Sequence, residues 1–343
     1  MAHRILMMAG DGVGEELLAA ARLVLKATRV PLQIECMDYG KTYERLHGHP
    51  VGEEHLLTIE RVKTVLKGPI EIDAKSQLLE IRGRRFTSAN QALRKIFQLY
   101  ANVRPAKYLE GSPAKFPGTD LVVIRTLEER QRPKSCERAA GENTEGMYTG
   151  EESWETDDAV VATRRITRQG TRRVAEFAFD YAVRHGRKKV TVAHKSNVLR
   201  LSDTLFLKVC REVACNYPEI HYTEQLCDSL LTGMVMRPAE WDVILCENLF
   251  GDLVSDLAAG LVGGLGLAPS ALCGGGAVAI FEPAHGSAPD IAGQGLVNPT
   301  SILLSASLML RHLREASAAD ALERALAQTL RERRSVTCDL GGG

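Results

Sequence analysis

Net charge is absent from this chain. Its 43 lysines and arginines are matched by 43 aspartates and glutamates, which gives no reason to expect nucleic acid or an anionic membrane surface as partner. No apolar run approaches the roughly 20 residues needed to span a bilayer. The chain enters a strand-like segment by Ile5, leaving no room for a signal or transit peptide unless one was removed earlier. A cytoplasmic location is expected, or the mitochondrial matrix if a presequence was lost. Eight cysteines are present without a C-x-x-C pair or a zinc-like spacing, as in a reducing compartment with mostly buried thiols. Internal repeats and low-complexity linkers are also missing. The 343 residues, 45% hydrophobic and 25% charged, are ordinary for a soluble globular protein long enough for two domains.

Strand-like residues 4–10 lead through GDGVGEELLAAARLVLKAT, where leucines and alanines recur at helical spacing, into strand-like 32–38. This is a βαβ opening and implies a parallel sheet. Gly10, Gly12 and Gly14, with Glu35 about twenty residues on, approach a dinucleotide fingerprint, but GxGxG stands where GxGxxG is needed. A turn that only permits tight strand-to-helix packing is the better reading. A strand end at 64–70 precedes a charged tract, 71–87. The apolar strand 121–125 is closed by Arg125 and followed by a polar, exposed insertion, 126–141. Segment 151–169 alternates like strands and reads as an arm that could pair with another subunit. An amphipathic helix, 171–186, precedes a buried strand, 188–196, that delivers Lys195 at its C-terminal end, where open α/β sheets bind ligands. A helix (201–218), a strand (219–226) and a helical run begun by Asp228 follow. After a glycine-rich loop come a strand (276–284), the loop 285–299 and helices near 300–313 and 318–334.

The chain is organised around VILCENLFGDLVSD, residues 243–256. A buried strand turns through Asn248–Gly251 into a helix that carries Asp252 and Asp256 on one face. Two stacked carboxylates repel unless a cation lies between them, and Mg²⁺ or Mn²⁺ suits such oxygens. A solvated acidic helix start is the alternative. Arg94, Arg104 and Arg125 are natural forks for carboxylates, although isolated arginines are usually solvated. Tyr148 lies among turn residues as a packed aromatic or an acid. Lys195 is a site candidate or a strand-end lysine reaching solvent, and Asp228 a ligand or a helix cap.

Together GDGVGEE, KGPI, LRKIFQLYANVRP, ENTEGMYTG, VTVAHKSNV, NLFGDLVSD and FEPAHGSAPDIAGQGLVNP resemble, in order and over nearly the whole chain, the β-decarboxylating dehydrogenases. That family acts on isocitrate, 3-isopropylmalate, homoisocitrate and tartrate. The resemblance implies an α/β fold of two domains: a large mixed sheet flanked by helices in a discontinuous cofactor domain (1–103 and 258–343), and a smaller dimerising domain (104–257) with an arm near 151–169. It implies that Asp252 and Asp256 hold Mg²⁺ or Mn²⁺ together with Asp228 from across a homodimer. Arg94, Arg104 and Arg125 would grip substrate carboxylates. Lys195, also from across the dimer, would be the base and Tyr148 the acid. His285, Gly286, Ser287, Ala288, Asp290, Ile291 and Asn298 would hold the cofactor.

Asp290 followed by Ile291 matches the NAD-using pattern, because a carboxylate accepts ribose hydroxyls and repels a 2′-phosphate. Ser88 and Asn90, in an SxNxxLR pattern, suit the γ-carboxylate of isocitrate rather than an isopropyl group. The expected reaction is isocitrate to 2-oxoglutarate, CO2 and NADH. The alternatives are a sister substrate, an isocitrate analogue of a specialised pathway, or a regulatory subunit of low activity. Two departures from the family stand out. The 71–87 tract has no threonine before Thr87, and the 126–141 insertion leaves Arg138 as a rival to Arg125 for the third arginine position. Most members of the family continue past DLGGG with another helix, whereas this sequence stops there, which suggests looser terminal packing.

Overall fold

Residues 5–8 are buried to the last atom or nearly so, as expected of a strand covered on both faces. In the computed structural model, which describes residues 2–71, 79–86, 88–127, 146–149 and 151–342, they belong to β1 (His3–Met8). Next come α1 (Gly14–Ala27), β2 (Leu32–Met37), α2 (Lys41–His47), α3 (Glu53–Val62) and β3 (Thr64–Lys67). They are followed by β4 (Leu79–Ile81), β5 (Arg84–Phe86), α4 (Ala89–Ile96), β6 (Ala101–Lys107) and β7 (Asp120–Thr126). An exposed hairpin, β8 (Glu152–Thr156) and β9 (Ala159–Ala162), precedes α5 (Arg168–Arg184), β10 (Lys189–His194), α6 (Ser202–Ala214) and β11 (His221–Leu226). The chain continues with α7 (Cys227–Met236), β12 (Val243–Cys246), α8 (Asn248–Leu261), β13 (Pro269–Cys273) and β14 (Ala279–Pro283). It closes with α9 (Thr300–His312) and α10 (Ala316–Glu332).

Ten strands form one sheet, ordered β11-β10-β12-β7-β6-β13-β14-β3-β1-β2. The expected βαβ opening is present: β1 pairs in parallel with β2 and β3. The sheet is mixed, because β13 runs antiparallel to both β14 and β6, and β6 antiparallel to β7. The glycine-rich loop expected after α8 contains β13, an apolar PSALC segment too short to stand out beside its glycines. The tract 71–87 also differs from expectation. Leu79, Ile81 and Phe86 alternate inward from the β4–β5 hairpin onto the core, while Arg82, at its turn, pairs with Glu53 and Glu60 of α3. Arg138 and Thr87 lie outside the described residues.

One row of in-register residues locates the site. Leu6, Val65, Ile280, Leu272, Asn102, Arg125 and Cys246 are successive partners across seven strands, so their side chains share a face. The row is apolar at both ends and polar in the middle. One apolar cluster, with α3, α4 and the β4–β5 hairpin, covers one end; a second, with α7 and α8, covers the other. Between them Asn102 and Arg125 are buried polar groups, and buried polar groups need partners. The opposite face carries one continuous core under α1, α5, α6, α9 and α10. The chain's last residues are packed rather than loose: Leu340 is buried and Asp339 accepts from Asn298 Nδ2 at 2.9 Å. Among the described residues no helix is long and apolar enough to cross a membrane.

Candidate functional site

Helix α8 starts earlier than the spacing suggests. Asn248–Gly251 is its first turn, capped by Glu247, whose Oε1 accepts from Phe250 N at 2.9 Å. The stretch is therefore a capped helix start, but Glu247 is the cap, and Asp252 and Asp256 lie further along. From β12 the helix runs back over β7 and β6. Gly251 permits close approach, since a Cβ there would meet Arg125 Cβ at 2.7 Å. Four residues of helix advance about 6 Å, which sets Asp252 near Arg125 and Asp256 near Arg104.

Arg125 donates through Nε to Asn248 Oδ1 at 2.8 Å and through Nη1 to Asp252. Arg104 Nη1 reaches Asp256 Oδ1 at 3.0 Å, Ser255 Oγ at 2.7 Å and Asp252 Oδ1 at 3.5 Å. Tyr148 donates its hydroxyl to Asp252, with the Arg125 guanidinium 4.9 Å from its ring centroid. Burial lowers the Arg125 pKa to about 10, so it stays charged near neutrality. Burial and the Asp252 hydrogen bond both raise that of Tyr148, which keeps the phenol protonated.

Beside this cluster lies a pair that the sequence reading passed over. Lys67 and Glu282 form a buried ion pair, and Arg94 Nη2 stands 3.8 Å from Glu282 Oε1. Burial pushes the Glu282 carboxyl up, but Lys67 and Arg94 outweigh it and the net shift is downward, so the pair is ionic. A lysine closing a fully buried strand was the available signal. On α4, Ser88 caps the helix by accepting from Gln91 N at 3.2 Å, and Asn90 Oδ1 accepts from Tyr39 at 3.4 Å. The Nε atoms of Arg94 and Arg104 are buried without a hydrogen-bond partner. Such unspent donors fit a carboxylate ligand.

Lys195 and Asp228 form a separate group: Lys195 Nζ lies 2.8 Å from Asp228 Oδ1, and that hydrogen bond holds the Asp228 carboxyl below its usual range. No contact within the chain joins them to Asp252 or Asp256 among the described residues, and no group of three metal-binding side chains occurs there. One chain offers two adjacent carboxylates of the oxygen type that Mg²⁺ or Mn²⁺ prefers, Asp256 more than half exposed, so the donors fit such an ion with a third supplied from elsewhere.

The 285–298 loop is tied to the glycine turn: Val13 N donates to Ser287 O at 2.9 Å, and a Cβ on Gly12 would meet that oxygen at 1.9 Å. Gly10 packs as closely on Pro69 O. The turn is thus a packing device, as its spacing suggests, and Glu35 is spent on Arg61. His285 Nδ1 donates to Gly286 O at 2.9 Å, which leaves Nε2 an acceptor, buried and unpartnered. Burial keeps that imidazole's pKa low. Ala288 adopts φ +38°, and Gly286, Ala288 and Asp290 are exposed beside half-buried Ile291. An open loop with a buried free acceptor fits a polar cofactor. Asn298 is buried, and its amide is engaged by Thr300 N and Asp339.

The family described as isocitrate/isopropylmalate dehydrogenase matches residues 4–343. The chain belongs to this family. A probable NAD isocitrate dehydrogenase alpha subunit, mitochondrial, of Drosophila melanogaster is 41% identical over 99% of this chain and 83% of its own length. A 3-isopropylmalate dehydrogenase of Archaeoglobus fulgidus is 42% identical over 99% and 94%. The crystal structure of isocitrate dehydrogenase from Methylococcus capsulatus superposes with a TM-score of 0.86 at 39% identity, covering 98% of this chain and 94% of that one. The isocitrate/isopropylmalate dehydrogenase fold is therefore present, and the family is one of decarboxylating dehydrogenases whose members act on small molecules. Relatives named for both substrates stand equally near.

Proposed function

We propose that the protein is a metal-dependent, NAD-using dehydrogenase that oxidises and decarboxylates isocitrate to 2-oxoglutarate and CO2, acting as a homodimer. The observation that carries this reading is the convergence of Arg104, Arg125 and Tyr148 on Asp252 and Asp256, beside an Arg94 with an unspent donor. Lys67, Arg94, Arg104 and Arg125 face Glu282, Asp252 and Asp256, one positive charge in excess before substrate. A tricarboxylate with one divalent cation would neutralise that excess, and buried charge needs such balance.

The three arginines grip and orient the carboxylates. Lys195 accepts the proton of the substrate hydroxyl, and Tyr148 returns a proton to carbon after CO2 leaves. Asp252 and Asp256, with Asp228 of the second subunit, would hold Mg²⁺ or Mn²⁺, while His285, the 286–291 loop and Asn298 would hold NAD. When bound, the cation would supply Lewis-acid polarisation of the hydroxyl and its neighbouring carboxylate, and NAD would supply the hydride acceptor. Ser88 and Asn90 present polar groups at the substrate's γ-position, favouring isocitrate over isopropylmalate.

The dimer is supported by the split between the Lys195–Asp228 pair and the α8 cluster. Trp154, Val160 and Val161 of the arm, Met236 of α7 and Leu253 of α8 are apolar and exposed, as on a surface that a second subunit covers. The division into domains at 104 and 257 follows the same logic, with the cleft between the two apolar clusters as the site.

A spectrophotometric panel tests the reading: isocitrate, isopropylmalate, homoisocitrate, malate and tartrate, each with NAD or NADP and with Mg²⁺, Mn²⁺ or EDTA. Isocitrate with NAD and a metal is expected to be fastest. Faster isopropylmalate turnover overturns the substrate, undiminished rates in EDTA overturn the metal, and no NADH from any acid returns the chain to a regulatory role.

A further inference from the structure

Arg164 occupies a place that the reaction just described leaves without a role. Its side chain is only 10% exposed and lies between Asp203 and Glu247, each 2% exposed. Nη1 donates to Asp203 Oδ1 and Ser202 Oγ, both at 2.6 Å, and the guanidinium stands 5.6 Å from the Phe250 ring centroid. Nη2 faces Glu247 Oε2 at 3.7 Å, and these two atoms are each buried without another partner.

What those two acids hold gives the arrangement its meaning. Asp203 Oδ2 accepts from the backbone N of Lys195 at 2.5 Å, fixing the turn that carries the base. Glu247 caps α8, which carries Asp252 and Asp256. The Tyr148 segment is bridged to the residue beside Arg164: Gly146 N donates to Arg165 O at 2.6 Å, and a Cβ on Gly146 would meet Glu247 Oε2 at 2.8 Å. Base, acid and carboxylates thus hang on three elements that this side chain and its neighbour tie together: Arg164 joins the Lys195 turn to the start of α8, and Arg165 holds the Tyr148 segment.

We propose that Arg164 is the positioning residue that registers the Lys195 turn against α8 and the Tyr148 segment. The inference rests on the roles given above to Lys195, Tyr148 and Asp252. Two buried carboxylates held 2.6 and 3.7 Å from one cation are kept in place by it; without the cation they repel, and each carries its element with it. In the proposed dimer Lys195 serves the site of the second subunit, so a turn displaced on its own chain moves the base off the carbon it faces there, and a shift of about 1 Å costs about 100-fold in rate.

The test uses the full-length protein with Arg164→Met, Arg164→Lys and, as a surface control, Arg168→Ala, whose side chain pairs only with Glu212 among the contacts described for it. Amide hydrogen exchange is read over 195–201 and 247–252. Arg164→Met should speed exchange in both segments at once, and Arg168→Ala in neither. On the substrate that the panel identifies, Arg164→Met should lower kcat about 100-fold with KM for NAD within about twofold, and Arg164→Lys should recover at least about tenfold of it. Unchanged exchange in both segments, or kcat within about twofold of wild type in a folded Arg164→Met, overturns the proposal. Equal loss in the Met and Lys variants also overturns it, as a packing effect. A chain that turns over no hydroxy acid defeats the functional reading, while the exchange measurement still decides the role of Arg164 as a brace.

Discussion

The α8 cluster and the Lys195–Asp228 pair contain the same kinds of group, cations facing carboxylates, yet they are built differently. In the α8 cluster Asp252 is met by Arg125, Arg104 and Tyr148, and Arg125 is 4% exposed. The pair has two members, with Asp228 62% exposed. Desolvation explains the contrast: a buried guanidinium must be matched within its own chain, whereas exposed groups are stable in water and remain free to serve another surface. In the dimer proposed above, the cluster would be the half of a site that a chain keeps and the pair the half that it lends.

Mixed dimers test that division most severely. Lys195→Met and Asp252→Asn should each lower kcat about 10³-fold, and co-refolding the two should restore about a quarter of wild-type activity through heterodimers with one intact site. Mixtures as inactive as their parents would place base and carboxylate on the same subunit.

Next in size is Arg125→Met. Leaving Asp252 and Asn248 without their buried partner should cost about 3 kcal/mol in urea unfolding, a loss that Lys195→Met, at the exposed pair, should not share. Equal small losses in both would erase the contrast.

Asn90→Leu touches α4 without removing its Ser88 cap. The kcat/KM for isocitrate should fall about tenfold and that for isopropylmalate should rise. A parallel drop in both would detach Asn90 from substrate choice.

The smallest effect is on acid stability. Burial lowers the pKa of His55, His185, His194, His285 and His312. A depressed folded-state pKa means stability that is present above the ordinary imidazole value of about 6.5 and lost as pH falls through the folded values. The urea midpoint should accordingly drop between about pH 7 and pH 5, and a flat profile across that interval would contradict these burials.

Much of the site could be read in advance. The 3.6-residue period sets Asp252 and Asp256 on one face, and an apolar strand closed by arginine brings Arg125 to Asp252. Other features escaped notice because their signals are not local. PSALC looks like loop until β14 and β6 pair with it, and the β4–β5 hairpin hides among charges because only Leu79, Ile81 and Phe86 turn inward. Lys67 and Glu282 are 215 residues apart, and only β3–β14 pairing makes them partners.

Periodicity and short motifs, which act over a few residues, were enough to determine the βαβ opening, the glycine turn, the strands of the β8–β9 hairpin and the carboxylate pair on α8. Pairings between distant segments were left to the tertiary structure. The strand order of the sheet, the polar gap in its otherwise apolar row, the Asn298–Asp339 contact and the place of Arg164 between two buried carboxylates exist only once segments far apart in sequence lie side by side. A buried charge acquires its partner from whichever segment the packed core brings within reach, and spacing along the chain does not encode that.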